Sequence, residues 1–90
     1  MGSKWTIQYR KQARKSVERL DPRERRRIRD FLEIRVLGLP NPRLLGLALQ
    51  GSLEGYWRYR VGDYRIICDI RDNELIVLVI EIDHRSQIYK

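Results

Sequence analysis

Residues 56–61 alternate between two kinds of side chain. Aromatic or apolar residues occupy every second position from Trp57 to Val61, and tyrosine or arginine occupies the positions between them. A period of two is typical of a half-buried β-strand. Gly62 and Asp63 precede a second strand-like run, and we expect them to supply the positive φ angles of a tight hairpin turn. The hairpin gathers three arginines into a small area: Arg58, Arg60 and Arg65.

The first half of the chain has helical spacing instead. Apolar residues recur every three or four positions from about Lys11 to Leu20, and again in a segment that ends near Leu37. Between the segments, Asp21 is a suitable N-cap because its carboxylate accepts hydrogen bonds from the first free N–H groups of a helix. Pro22 suits the first helical position, where no hydrogen bond is lost. The pattern therefore predicts a hairpin of two helices.

Two more strands and a loop complete the predicted elements. Residues 5–9 alternate as a short strand, and residues 39–53 form a loop segment whose leucines are expected to pack on the body. The run from Leu75 to Ile82 is nearly all apolar, so we expect a central strand covered on both faces. The order β-α-α-β-β-β predicts an α+β fold with the helical hairpin packed on a twisted, mainly antiparallel four-stranded sheet. We expect residues 1–90 to form a single domain.

Charge and composition restrict the classes of molecule that the protein is expected to bind. The 19 Lys and Arg against 12 Asp and Glu give a net charge of +7, which favours nucleic acid, ribosomes, acidic proteins or an anionic membrane surface as partners. Cys68 is the only cysteine, so an intrachain disulfide and a Cys-rich metal site are excluded. The longest apolar run is too short to span a bilayer, and no secretory signal is present, so we expect a cytoplasmic protein without a membrane role. No cofactor and no metal are expected.

The candidate chemistry centres on phosphate. Arginine holds two phosphate oxygens at once and stabilises charge that develops on phosphorus, although solvent-facing strand arginines are also common. His84 is a candidate general acid or base, since the ordinary pKa of histidine is about 6.5, but a lone histidine is more often a packed loop residue. We expect Glu81 and Asp83 to share a face at the end of their strand, but they offer no recognised metal-ligand spacing and are equally suited to binding nearby arginines. Arginines 23 to 29 are interpreted as a solvated helix face, with RNA backbone contact as the alternative.

Two motifs together resemble the RelE/ParE superfamily of bacterial toxins, and most closely its RelE branch. One is Leu-Glu-Gly-Tyr-Trp-Arg-Tyr-Arg-Val-Gly-Asp-Tyr-Arg-Ile-Ile at residues 53–67, and the other is His-Arg-Ser-Gln-Ile-Tyr at residues 84–89. The resemblance extends over essentially the whole chain, including the order of elements. It implies the toxin of a type II toxin–antitoxin system that enters the ribosomal A site and cleaves mRNA. No metal is needed, because the 2′-OH of the RNA attacks the adjacent phosphate.

The resemblance also implies roles for individual residues. Arg65 matches the phosphate-contacting arginine of the family, Arg58 a basic position on the catalytic strand, and Tyr89 the C-terminal tyrosine that stacks on a base. His84 matches a histidine that some members use in proton transfer. Three further residues are expected to contact RNA: Arg60, Arg85 and Tyr56. A paired antitoxin with an acidic segment is implied as partner, and the toxin–antitoxin complex is expected to bind operator DNA through the antitoxin.

Two positions depart from the family pattern. Some members carry lysine where this chain has Tyr56, and arginine where it has Asp83. A lysine tuned towards neutrality can act as a base, and tyrosine cannot easily do so, which leaves His84 as the candidate base. Two alternatives stay open at this point. One is inhibition of DNA gyrase without RNA cleavage, as in the ParE branch, and the other is a basic RNA- or ribosome-binding module without chemistry.

Overall fold

The computed structural model describes residues 4–85 of the chain. In this part the helices lie on one face of a five-stranded sheet whose strand order is β1-β5-β4-β3-β2. The pairing of β1 with β5 is parallel and the other three pairings are antiparallel. The elements in chain order are β1 (Thr6–Tyr9), α1 (Lys11–Arg19), α2 (Pro22–Asp30), a π-helical segment (Phe31–Val36), β2 (Leu47–Ala48), β3 (Trp57–Val61), β4 (Tyr64–Arg71) and β5 (Ile76–His84).

The predicted α+β architecture and mainly antiparallel sheet are confirmed, but the strand count of four is wrong. The additional strand is β2, whose two residues pair with Arg58 and Trp57 of β3. It lies inside the segment that was predicted as a loop. Two residues are too few to show a sequence period, and both are exposed, so no hydrophobic alternation marked this strand.

A continuous apolar core joins the helices to the sheet. Ala13, Leu32 and Val36 contribute from the helical side, and Tyr59 and Ile66 from the sheet, each with no exposed surface. Trp5, Ile7 and Tyr9 of the first strand region pack against the same core, as their alternation predicts. This side of the sheet is called the core face below, and the opposite side the open face.

The second helix begins as its sequence predicts and ends differently. The Asp21 carboxylate accepts hydrogen bonds from the backbone N–H groups of Arg23 and Glu24, at 3.0 and 3.1 Å, which confirms the N-cap. Regular α-helix ends at Asp30, and a π-helical segment continues to Val36. Its wider turn leaves the Leu37 N–H bonded to the Leu32 carbonyl five residues back, at 3.3 Å. The buried stripe is nevertheless kept through the segment.

A β-bulge changes which residues of β5 face the core. Ile67 pairs with Glu81, but Cys68 pairs with Val79, so Ile80 is an extra residue on β5. Before the bulge the odd-numbered Val79 is buried, and after it the even-numbered Ile82 is buried. The expectation that this strand is covered on both faces is wrong. Its residues alternate between buried and partly exposed positions up to Ile80, so one face is covered by the helices and the other is open.

The segment between α2 and β3 is anchored mainly by one buried hydrogen bond, and its leucines contribute less. Leu44 and Leu47 are 63% and 54% exposed, so the expectation that the leucines of this loop pack on the body is wrong for them. Instead, the buried Tyr59 hydroxyl donates a hydrogen bond to the Pro42 carbonyl at 2.5 Å. Pro42 lies in a short 3₁₀ turn (Pro42–Leu45) whose Asn41 cap accepts a bond from the Arg43 N–H.

Candidate arginine-lined active site

The hairpin between β3 and β4 fixes the relation of the arginines. Val61 pairs with Tyr64, so Gly62 and Asp63 are the two loop residues. Gly62 has a φ of +59° and Asp63 has no positive φ, which is the pattern of a type II′ turn rather than one with two left-handed residues. Arg60 pairs directly with Arg65, and directly opposed residues share a face.

Four arginines line one pocket at this end of the sheet. The pocket has a volume of about 270 Å³. Arg58 and Arg60 are two residues apart on β3, so both lie on the open face with Arg65. The fourth arginine, Arg85, follows β5 directly. The lining residues are Arg58, Arg60, Gly62, Asp63, Tyr64, Arg65 and Arg85.

Two of the guanidinium groups in this pocket, those of Arg58 and Arg65, have a buried donor without an acceptor in the described part of the chain. The Nε atoms of Arg58 and Arg65 are buried and have no hydrogen-bond partner within residues 4–85. A buried N–H without an acceptor costs free energy, and an oxyanion that enters the pocket would remove this cost. The pocket is therefore suited to a ligand with several anionic oxygens, such as a phosphodiester.

Carboxylates from β5 reach the same face. Asp83 pairs with Arg65 across the β4–β5 ladder, and its Oδ2 lies 3.6 Å from Nη2 of Arg65. Glu81 lies two residues before Asp83 on the same side of β5. A hydrogen bond to Asp83, burial and the nearby charge of Asp83 raise the pKa of Glu81, while the charge of Arg65 lowers it. The prediction that Glu81 and Asp83 share a face next to arginines is confirmed.

His84 projects from the side of β5 that is opposite to Asp83. It pairs with Tyr64 on the core side of the sheet, and the two rings meet edge to face with centroids 5.0 Å apart. The pocket lining does not include it. Arg85, in contrast, is drawn towards the hairpin, because its backbone N–H donates to the Asp63 carbonyl at 2.6 Å. The catalytic role of His84 stays a prediction.

The two predicted tyrosines have different outcomes. Tyr56 precedes β3, is partly exposed and does not line the pocket. Tyr89 lies outside the described residues. The pocket instead contains Tyr64, whose pKa is raised by burial and by the charges of Glu24, Asp21 and Asp63. The sequence makes Tyr64 as well as Tyr56 a candidate for stacking on a base, because both are tyrosines near arginines, and of the two only Tyr64 lines the pocket.

The other features considered in the sequence do not form a second candidate site comparable to the arginine pocket within residues 4–85. On α2, Arg23, Arg26, Arg27 and Arg29 are exposed, in agreement with a solvated helix face. Within residues 4–85, no group of three or more His, Cys, Asp or Glu side chains is placed to hold a metal ion. No helix in this part of the chain has the length and apolar character needed to cross a membrane.

The fold and the arginine pocket together define a class of protein. Residues 7–89 match the family described as the ParE toxin of the type II toxin–antitoxin system parDE. The chain therefore belongs to this toxin family, within the RelE/ParE superfamily that its two motifs resemble. The predicted membership of this superfamily is confirmed.

Individual relatives lie on the RelE side of this superfamily. Toxin RelG of Mycobacterium tuberculosis is 28% identical over 88 residues, which cover 96% of this chain and 97% of RelG. Toxin RelE of the same organism is 42% identical over 52 residues, covering 58% of this chain and 54% of that toxin. Among solved structures, the M. tuberculosis toxin–antitoxin complex RelBE2 contains a chain with a TM-score of 0.83 at 26% identity, covering 93% of this chain and 94% of that chain.

Proposed function

We propose that this toxin is a ribosome-dependent mRNA endoribonuclease that inhibits translation. The observation that carries the proposal is the pocket in which Arg58, Arg60 and Arg65 share the open face of the sheet. The likeness to toxins RelG and RelE and to the RelBE2 complex supports the same activity.

The proposed reaction depends more on stabilisation of negative charge at the phosphate than on a protein nucleophile. The RNA 2′-OH attacks the adjacent phosphate, and negative charge grows on the non-bridging phosphate oxygens. Preorganised donors aimed at such a charge supply much of the rate enhancement in enzymes of this kind. The Nε groups of Arg58 and Arg65, which have no acceptor among residues 4–85, are donors of this type. His84 and Tyr89 keep their predicted roles in proton transfer and base stacking, and Arg60, Arg85 and Tyr56 their predicted contacts with RNA.

The proposal is tested by cleavage of a defined mRNA in the presence and absence of programmed ribosomes. We expect cuts within the A-site codon only when ribosomes are present, because the ribosome holds the RNA in the geometry for in-line attack. The downstream fragments should carry a 5′-OH, so polynucleotide kinase labels them without prior phosphatase treatment. Folded protein that leaves the mRNA intact on ribosomes would overturn the proposal.

A second candidate function is inhibition of DNA gyrase without nuclease activity. The description of the matching family as a ParE toxin favours it. The same protein preparation separates the two functions: a gyrase inhibitor blocks supercoiling of relaxed plasmid and leaves ribosome-bound mRNA uncut. If the protein binds ribosomes with salt-dependent affinity but neither cuts mRNA nor affects gyrase, it is a non-catalytic ribosome-binding module.

We further propose an antitoxin with an acidic segment as the cellular partner. The net charge of +7 supports it, and the RelBE2 structure holds a toxin together with its antitoxin. Binding of operator DNA through the antitoxin is part of the same proposal. We expect the dissociation constant for the antitoxin encoded beside this gene to rise as salt is added, because salt screens attraction between exposed charges. Calorimetric titration at increasing ionic strength measures this, and absence of binding at low salt would contradict it.

A further inference from the structure

The two carboxylates of the open face stand where the proposed reaction needs a proton acceptor. Asp83 is opposite Arg65, and Glu81 is opposite Ile67, so both project from the same side of β5 as the arginines. The bulge at Ile80 is responsible, because strict alternation from the buried Val79 would place Glu81 and Asp83 on the core face. One extra residue therefore places both carboxylates on the open face, beside the arginines that line the pocket.

The two carboxylates lie next to each other and to Arg65. Glu81 and Asp83 are two residues apart on the same side of β5, and Asp83 lies opposite Arg65 in the β4–β5 ladder. Asp83 Oδ2 lies 3.6 Å from Arg65 Nη2. Asp83 therefore connects Glu81 to the proposed phosphate-binding guanidinium.

We propose that Glu81, which lies beside Asp83, is the general base that removes the proton of the attacking 2′-OH. This inference rests on the proposed nuclease function. Glu81 is exposed on the open face, so an RNA ribose can approach it, whereas Asp83 is partly buried beside Arg65. In this arrangement Glu81 is a catalytic residue and Asp83 a positioning residue that acts through it.

The step is balanced by transfer of one proton and one electron pair. The ionised Glu81 carboxylate takes the 2′-OH proton, and O2′ forms a bond to phosphorus. The bond between phosphorus and O5′ breaks with its electron pair on O5′, which takes a proton from solvent. The products are a 2′,3′-cyclic phosphate and a 5′-OH, and Glu81 then returns its proton to solvent.

The environment of Glu81 suits this task. Its hydrogen bond to Asp83, its burial and the charge of Asp83 raise its pKa towards the working range of a general base, whereas Arg65 lowers it. The apolar Ile67 lies directly opposite. The other charged residues on this face or beside it are Arg58 and Arg60 on β3, Asp69 and Arg71 on β4, Arg85 after β5, and Arg10 after β1.

His84 is the competing base, and its position distinguishes the two assignments. The bulge turns His84 to the side of Tyr64, whereas Glu81 lies on the side that holds Arg58 and Arg65. His84 contacts Tyr64, a lining residue of the pocket, from the core side of the sheet. The pH profiles of variants at the two positions decide which group is the base.

The test is the pH dependence of single-turnover cleavage on programmed ribosomes, measured for wild type and four variants, one of which is His84→Gln. Wild-type activity should rise with pH as Glu81 loses its proton. We expect Glu81→Gln to lower the rate at neutral pH by roughly 100-fold or more and to remove this rise. Asp83→Asn should move the rise to lower pH, because Asp83 raises the pKa of Glu81 through a hydrogen bond and through its charge, and the substitution removes both effects. The control is Asp69→Asn, an acidic residue of the same face that pairs with Arg71.

We expect Glu81→Gln to leave the fold intact, because folding raises the pKa of Glu81. A carboxyl whose pKa is raised by folding contributes stability below its unfolded pKa, and this stability is lost as pH rises through the folded pKa. At neutral pH the neutral glutamine avoids that loss. The variant should therefore unfold at the same or a higher temperature than wild type, and its loss of activity would not reflect unfolding.

Each outcome decides between the assignments. Wild-type cleavage with an unchanged rate and pH profile in Glu81→Gln overturns the carboxylate assignment and leaves the nuclease proposal intact. Loss of the pH-dependent rise in His84→Gln, with the rise retained in Glu81→Gln, assigns the base to His84 and also overturns it. Wild-type protein that never cuts mRNA overturns both proposals.

Discussion

Replacement of Arg65 by alanine is expected to lower the single-turnover rate of mRNA cleavage on ribosomes by roughly 100-fold to 1,000-fold. This is the loss seen when an enzyme is deprived of one preorganised donor to a developing oxyanion. Arg65 occupies the centre of the proposed site, with Arg60 opposite on one side and Asp83 on the other. Its charge and its buried Nε donor are both removed by the substitution.

Two further variants test whether the effect on cleavage is specific to the guanidinium group of Arg65. Arg65→Lys keeps the charge but loses the planar fork, so we expect an intermediate rate if two-point contact with phosphate matters. Arg71→Ala removes an arginine from the same strand and the same face, at the far end where it pairs with Asp69 and Glu74. Its rate should equal that of wild type. Equal rates for Arg65→Ala and Arg71→Ala would show that Arg65 has no special role in cleavage.

The largest expected effect on stability belongs to Leu32→Ala. Leu32 has no exposed surface and lies in the π-helical segment, packed in the core between helices and sheet. Truncation of a buried leucine removes its transfer free energy and leaves a cavity, at a cost of about 2–5 kcal/mol. A domain of this size has roughly 3–5 kcal/mol of stability in total, so a large fraction of the variant should be unfolded at room temperature.

The matched control lies two residues further along the same segment. Ile34 is 65% exposed, and Ile34→Ala should change the free energy of unfolding by less than about 0.5 kcal/mol. Urea unfolding followed by circular dichroism compares the two variants directly. Coincident transitions for Leu32→Ala and wild type would mean that the helical layer contributes little to the cooperative core.

Local chemistry explains which parts of the fold could be predicted. The cap at Asp21 and the hairpin at Gly62 depend on a few adjacent residues, and both were predicted from those residues alone. The amphipathic pattern of α2 likewise fixed its buried stripe, because burial follows the spacing of apolar residues. The π-helical end of this stripe was not predicted, since it keeps the same residues buried with one wider turn.

The site was predicted less completely because it depends on register. The shared face of Arg58 and Arg60 follows from their spacing, but the pairing of Arg65 with Arg60 and Asp83 is a property of three strands together. The bulge at Ile80 is invisible in a run of apolar residues, and it reverses every side chain that follows. A strand without it would have placed His84 on the open face.

The position of β5 in the sheet determines when the proposed site is completed during synthesis. This strand lies between β1 and β4, yet it is the last of the five strands in chain order. Its parallel partner β1 is the first, so the sheet closes through contacts between the most distant parts of the sequence, which form slowly. During synthesis, the arginines of β3 and β4 emerge before the strand that carries Glu81 and Asp83. A nascent chain of this toxin therefore lacks the complete proposed site, and under the proposed nuclease function the ribosome that produces it is not exposed to a finished enzyme until β5 has been added.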